Sequence, residues 1–215
     1  MCTIPVFIPY VNRPDLLERA IRSVPRRMTT EPIVINNSNE KLVVSCPTVY
    51  PPVPLTFAQT QNFMLKIAKE RKVPFYLFMH SDAEAGPDTV EKLYAMAMHE
   101  SSRGKWGAIF TNYDALAAFN TEAMEAIGGW DTMLSWYLSD CDCYRRLRLA
   151  GYPTLESHLP VTHEPSQTIN SDPVIRRQVD LEVPFRQAYY RAKWGGDNEH
   201  EVFDVPWGVT PKITA

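Results

Sequence analysis

His80, Ser81 and Asp82 follow directly on Phe75-Tyr76-Leu77-Phe78-Met79, so three groups able to bind a metal ion stand at the end of an uncharged apolar run. Aromatic and aliphatic residues without alternation suit a strand covered on both faces, and the turn Ala85-Gly86-Pro87-Asp88 ends it. Side chains alternate along a strand, which predicts His80 and Asp82 on one side and Ser81 on the other. Two ligand-type groups would then meet beyond the carboxyl ends of the strands, where open α/β sheets bind their substrates. A plainer reading stands beside this one, with Asp82 capping the turn and His80 as polar surface.

A second acidic group, Asp140 and Asp142, follows the aromatic pair Trp136-Tyr137 and opens a helical segment. Carboxylates are favoured there by exposed amides and the helix dipole, so capping accounts for them simply. The alternative is chemical: a carboxylate within hydrogen-bonding reach of an acceptor hydroxyl can take its proton. His163 ends the late strand segment Val161-Thr162-His163, with His158 nearby. Alone it reads as a structural histidine. Facing Asp82, it would complete a mixed imidazole and carboxylate set, better suited to manganese than to magnesium, which prefers all-oxygen surroundings.

The elements that must position these groups alternate strand and helix. Ile4–Ile8 reads as a strand and Arg13–Val24 as a helix, with Pro14 in its first turn and Leu16, Leu17, Ala20, Ile21 and Val24 at helical spacing. A strand at Pro32–Ile35 runs into Asn36-Asn37-Ser38-Asn39, a turn-forming set, and a proline-rich loop around one short strand covers Cys46–Pro54. Helices are predicted at Thr56–Arg71, Thr89–His99, Thr121–Ile127 and Asp140–Ala150, with a strand at Gly107–Thr111. A last helix, Val174–Arg191, is expected to break at Pro184. This succession predicts an α/β fold, layered α/β/α around a mostly parallel central sheet.

Polar residues follow three predicted strands: Pro9-Tyr10-Val11-Asn12-Arg13, Asn36-Asn37-Ser38 and His80-Ser81-Asp82. Converging strand ends make a cleft. The first two sets carry hydrogen-bonding groups suited to a base and ribose, and the third offers ligands for a divalent ion and its phosphates. Neither a Walker glycine-lysine motif nor a dinucleotide glycine fingerprint occurs, so ATPase and nicotinamide chemistries lose weight.

At 215 residues with 45% hydrophobic content the chain can bury one substantial core, so a single domain over 1–215 is expected. A net charge of −3 gives no global attraction to nucleic acid or anionic membrane. Cys2, Cys46, Cys141 and Cys143 form no CxxC pair and read as reduced thiols in a cytoplasmic protein. The start is too short in its apolar part for a secretory signal and no stretch approaches bilayer length, so membrane association would be peripheral.

The order of segments resembles a family 2 glycosyltransferase of the GT-A fold, over nearly the whole chain. Pro9-Tyr10-Val11-Asn12-Arg13-Pro14 resembles the family's first strand end, and Ile35-Asn36-Asn37-Ser38 its aspartate-asparagine-glycine-serine turn. Asn62 matches the asparagine of the following helix, and His80-Ser81-Asp82 occupies the aspartate-any-aspartate metal motif. Gly128-Gly129-Trp130-Asp131, then Asp140-Cys141-Asp142-Cys143-Tyr144-Arg145, then Ala150-Gly151-Tyr152 resemble its glycine-glycine-aromatic-aspartate and glutamate-aspartate signatures. Tyr189 to Gly196 resembles a tail of nonprocessive members.

The resemblance implies that residues 1–110 bind a nucleotide-diphosphate sugar, a UDP-sugar first. It makes 111–215 the acceptor and catalytic half, with a helical tail. The first strand end and Asn36 or Asn37 would hold the nucleoside, Asp82 the metal on the diphosphate, and His163 a further metal position. Asp140 would deprotonate a hydroxyl of a glycan or other acceptor, with inversion at the anomeric carbon. Three positions depart from the family: His80 for the first metal-motif aspartate, Asn36 for a base-reading aspartate, and Ser139 for a glutamate. A sugar nucleotidyltransferase and a noncatalytic nucleotide-sugar or glycan-binding module are the alternatives. The first would normally show a glycine-rich basic loop after the first strand, which Tyr10-Val11-Asn12-Arg13 lacks.

Overall fold

The computed structural model describes residues 3–27 and 29–209. Its first half runs β1 (Ile4–Tyr10), α1 (Pro14–Ser23), β2 (Thr30–Asn36), β3 (Thr48–Val49), α2 (Phe57–Glu70), β4 (Phe75–Met79), β5 (Ala83–Ala85), α3 (Thr89–Arg103) and β6 (Ala108–Phe110). After a 3-10 turn at Asn112–Asp114 come β7 (Leu116–Asn120), α4 (Thr121–Ala126), α5 (Ser139–Leu149), β8 (Thr154–Glu156), β9 (Val161–His163), α6 (Gln167–Asn170) and α7 (Pro173–Trp194). Among the described residues, none of the helices is long and apolar enough to cross a membrane.

The uncharged runs become the middle of a seven-stranded sheet of order β3-β2-β1-β4-β7-β6-β8. β1 lies between β2 and β4, parallel to both, with Val6 opposite Leu77. Helices cover both faces, so every residue of β4 is sealed from solvent, which is why that strand carries no polar alternation. Burying each such side chain stabilises the fold by about 1.5–3 kcal/mol.

β7 pairs antiparallel with both β4 and β6, while β8 pairs parallel with β6, so the sheet is mostly parallel with one reversed strand. The sequence does not announce β7, because Leu-Ala-Ala-Phe-Asn carries little strand propensity; its neighbours impose the strand. Two short strands, β5 and β9, form a separate antiparallel ribbon.

The helix ends follow local rules. Pro14 opens α1, and Thr56 with Gln59 closes a reciprocal capping box on α2. The expected break at Pro184 does not occur, and α7 is continuous from Pro173 to Trp194. Proline removes one hydrogen bond, but both ends of the helix are pinned. Asp172 caps the start by accepting from Val174 and Ile175, while Arg186, Tyr190, Lys193 and Trp194 are buried towards the end. Cys46, Cys141 and Cys143 are free thiols, and Cys2 lies outside the described residues.

Candidate active site

β4 ends at Met79, and the next three residues turn into β5, so the strand alternation expected for His80 to Asp82 stops short of them. All three side chains consequently line one cavity of about 250 Å³ at the carboxyl ends of β1 and β4. The β5–β9 ribbon sets Ala83 opposite His163, which swings that imidazole towards Asp82. His163 Nε2 lies 3.3 Å from Asp82 Oδ1, and ligand atoms of His80, Asp82 and His163 are all within 4.8 Å of one another. His163 is therefore paired with Asp82 rather than isolated.

Apolar rings fix the imidazoles. Phe57 stacks parallel to His80 at 5.9 Å between centroids, Phe78 meets it edge-on at 4.9 Å, and the His163 ring stacks with it at 5.1 Å. Burial pushes His80 down to about 4, against the pull of Asp82 and with help from His163, so its ring is neutral at physiological pH. Burial alone would raise Asp82, but the His163 hydrogen bond and the adjacent imidazoles outweigh it and hold the carboxyl below the usual range. His163 Nδ1 is buried without a partner. Two imidazoles and a carboxylate, with one ring nitrogen unclaimed, are a donor set that could hold a divalent ion. Glu84 is tied to Arg19 at 3.0 Å and stays outside the cluster.

At the opposite end Pro9, Val11, Asn37 and Thr60 line the cavity. Asn37 is held by donating to Thr60 Oγ1 at 2.9 Å and accepting from the Leu55 amide at 3.4 Å. Tyr10, Asn12, Arg13, Asn36 and Asn62 do not line it. Asn36 closes its own turn, accepting from the Ser38 amide and hydroxyl and donating to Glu40 O at 2.8 Å. Asn62 clamps the Trp130 backbone through bonds of 2.9 and 2.8 Å. Asn12 donates to Thr168 O at 3.0 Å, and Arg13 pairs with Asp15 while reaching Gln167 and Ser171. Those contacts tie the end of β1 to the segment around α6, from which Ser166, Thr168 and Ile169 reach the cavity wall.

The third side of the cavity comes from Trp136, Tyr137, Ser139 and Asp140. Leu138, the N-cap residue before α5, has a left-handed conformation, φ 66°, and no side chain caps the helix, so Asp140 is not used as a cap. Asp142 is fully buried and bound by Lys193, Arg146 and Trp194. Only Asp140 of the pair faces the cavity. Tyr113 and Asp114 complete this side, and sequence reasoning passed over both. The signal was present: Thr111-Asn112-Tyr113-Asp114 follows a strand just as the other polar sets do. Tyr113, Asp114, Leu138 and Ser166 all have φ between 51° and 66°, a concentration of strained backbone around one cavity.

No protein-family model matches the chain, and no curated protein sequence does. Solved structures do match it in shape. S. aureus TarS superposes with a TM-score of 0.57 at 11% identity over 84% of this chain and 39% of that one. Its 1–349 piece gives 0.58 at 11% identity, over 84% of this chain and 65% of that one. The catalytic domain of Drosophila β1,4-galactosyltransferase 7, in complex with xylobiose, gives 0.51 at 13% identity, over 73% and 65%.

The fold is of the GT-A type.

The chain thus spans less than two thirds of each of these neighbours. Within its GT-A fold, the His80–Asp82–His163 cluster, the β1 end and Asp140 line the same cavity.

Proposed function

We propose that this protein is a metal-dependent, inverting glycosyltransferase that moves a sugar from a nucleotide-diphosphate sugar to an acceptor hydroxyl. One observation carries the reading: in a GT-A fold, a His-Asp-His ligand set and a separate carboxylate, Asp140, line the same cavity. The donor's nucleoside lies against Pro9, Val11, Asn37 and Thr60, with Tyr10, Asn12, Arg13, Asn36 and Asn62 shaping the walls behind them. Residues 1–110 supply most of this donor side, and 111–215 supply the acceptor side and His163. His80, Asp82 and His163 would hold a divalent ion, manganese before magnesium, with Ser81 beside the phosphates. When bound, that ion supplies positive charge for the diphosphate oxygens.

Asp140 acts on the other face of the sugar. It accepts the proton of the acceptor hydroxyl as that oxygen forms its bond to the anomeric carbon. The bond from that carbon to the diphosphate oxygen breaks with its electron pair, and nucleoside diphosphate leaves. Attack opposite the leaving group inverts the anomeric carbon. A UDP-sugar is the first donor to try, and the xylobiose held by one structural neighbour makes a glycan the first acceptor.

The test is an incubation of the protein with manganese, a panel of nucleotide sugars and glycan acceptors. Nucleoside diphosphate release with an inverted glycoside seen by NMR is expected. Pyrophosphate release would establish a nucleotidyltransferase instead, and donor binding without turnover a binding module.

A further inference from the structure

Asp114 and Asp140 come from different elements, the turn after β6 and the start of α5, yet both line the aromatic side of the cavity. Neither has an ion-pair partner among the described residues. Other buried carboxylates are matched: Asp142 meets Lys193 and Arg146, and Asp131 meets Lys193. A half-buried carboxyl without a cation is costly unless a ligand hydrogen-bonds it. The buried Tyr144 hydroxyl lies within hydrogen-bonding reach of Asp114, whereas the buried indole nitrogen of Trp136, which lines the same cavity, has no partner. Tyr113 and Tyr137 expose their rings at the rim. Flat rings next to carboxylates suit a sugar, whose C–H faces stack while its hydroxyls turn to the acids.

Resting on the glycosyl-transfer reading, we infer that Asp114 is an acceptor-binding residue. Its carboxyl takes a second hydroxyl of the acceptor, beside the one that Asp140 deprotonates, so the acceptor is a sugar or polyol presenting two neighbouring hydroxyls. Burial pushes Asp114 up to about 7, Asp140 adds to this, Tyr144 opposes it, and Glu156 adds a little more. The thiols of Cys141 and Cys143 feel the same charges. Near neutral pH the group can therefore donate as well as accept, which a single fixed carboxylate cannot do. The left-handed backbone at Tyr113 and Asp114 fixes where that carboxyl stands.

The experiment is saturation-transfer NMR and calorimetry on the full chain with manganese. The probes are methyl β-D-xylopyranoside, its monodeoxy analogues and ethanolamine. Wild type is expected to bind the xyloside and to lose affinity about tenfold for a monodeoxy analogue. Asp114→Ala should bind xyloside and that analogue equally weakly, and Asp114→Asn should recover part of the difference. Manganese binding and Tm serve as folding controls for both variants. Unchanged xyloside affinity in Asp114→Ala, no xyloside binding by wild type, or a preference for ethanolamine would each overturn the assignment. Failure of the parent reading is separate: it would show as no nucleoside diphosphate release from any donor, whatever the xyloside affinities.

Discussion

Asp140 and Asp142 stand two residues apart on α5, yet Asp140 faces the cavity while Asp142 is sealed 2.6 Å from Lys193 Nζ. Lys193 also reaches Asp131 at 2.6 Å, and Tyr189 donates to the same Asp131 carboxylate at 2.8 Å. The last turns of α7 thereby hold the first turn of α5, and with it the carboxylate assigned as base.

Asp140→Asn keeps the shape of the side chain and removes its proton-accepting capacity. Transfer is expected to fall by about 10²–10⁴ while donor binding stays within a factor of a few. Steady-state kinetics alongside calorimetry with nucleoside diphosphate decides it, and wild-type turnover in the variant excludes Asp140 as the base.

Lys193→Met leaves Asp142 and Asp131 buried with less compensation. Breaking such a pair costs about 3–5 kcal/mol, equivalent to a Tm drop of roughly 6–20 °C for a chain of this size. Calorimetric melting measures it. A variant as stable as wild type would mean that the buried network contributes little.

Manganese is expected to stabilise the protein before any nucleotide is added, because three protein ligands already converge. At about a hundredfold over Kd the gain is about 2.7 kcal/mol, which raises Tm by roughly 5–10 °C. Asp82→Ala and His163→Ala should remove the rise, and magnesium should give less of it. A rise that survives both substitutions places the ion elsewhere.

Asp114 gives the protein a pH-dependent stability with a definite sign. Its folded-state carboxyl titrates at about 7, above its ordinary value of 3.8. The folded state therefore binds more protons than the unfolded state between those values. The contribution is full below about 4 and is lost as pH rises through about 7. Asp114→Asn mimics the protonated form, so it should match wild type near pH 4. At pH 8 it should be more stable by about 1–2 kcal/mol, after allowing for solvent screening. Melting curves across pH 4–8 test this, and parallel curves for the two proteins would contradict it.

Gly129 has φ +75°, and a Cβ there would run into Asn62 Oδ1. Gly129→Ala should cost about 1–2 kcal/mol from the backbone alone, and more through loss of the Asn62 clamp on Trp130. Denaturant midpoints would show the loss, and an unchanged midpoint would discount the clamp.

Much of the framework was legible in the chain. Apolar runs without alternation marked β1, β2 and β4, and helical spacing with terminal signals marked α1, α2, α3 and α5, because burial and capping act over neighbouring residues. Elements whose own residues prefer nothing strongly were harder to see, as with alanine-rich β7 and three-residue β5 and β8. Pro184 misled in the other direction, since local chemistry argued for a break, yet the helix, capped by Asp172 at its start and buried in its last turns, runs through it.

The site divides along the same line. By itself the sequence determined that His80 and Asp82 follow a predicted strand and that Asp140 opens a predicted helix, because strand and helix positions depend on local periodicity. Tertiary structure alone decided the rest. Pairing of β5 with β9 brought His163 to Asp82, docking of α7 took Asp142 out of the cavity, and the turn after β6 delivered Asp114 to it. Contacts between residues distant in sequence leave no periodic trace along the chain; they exist only when separate elements must share one core.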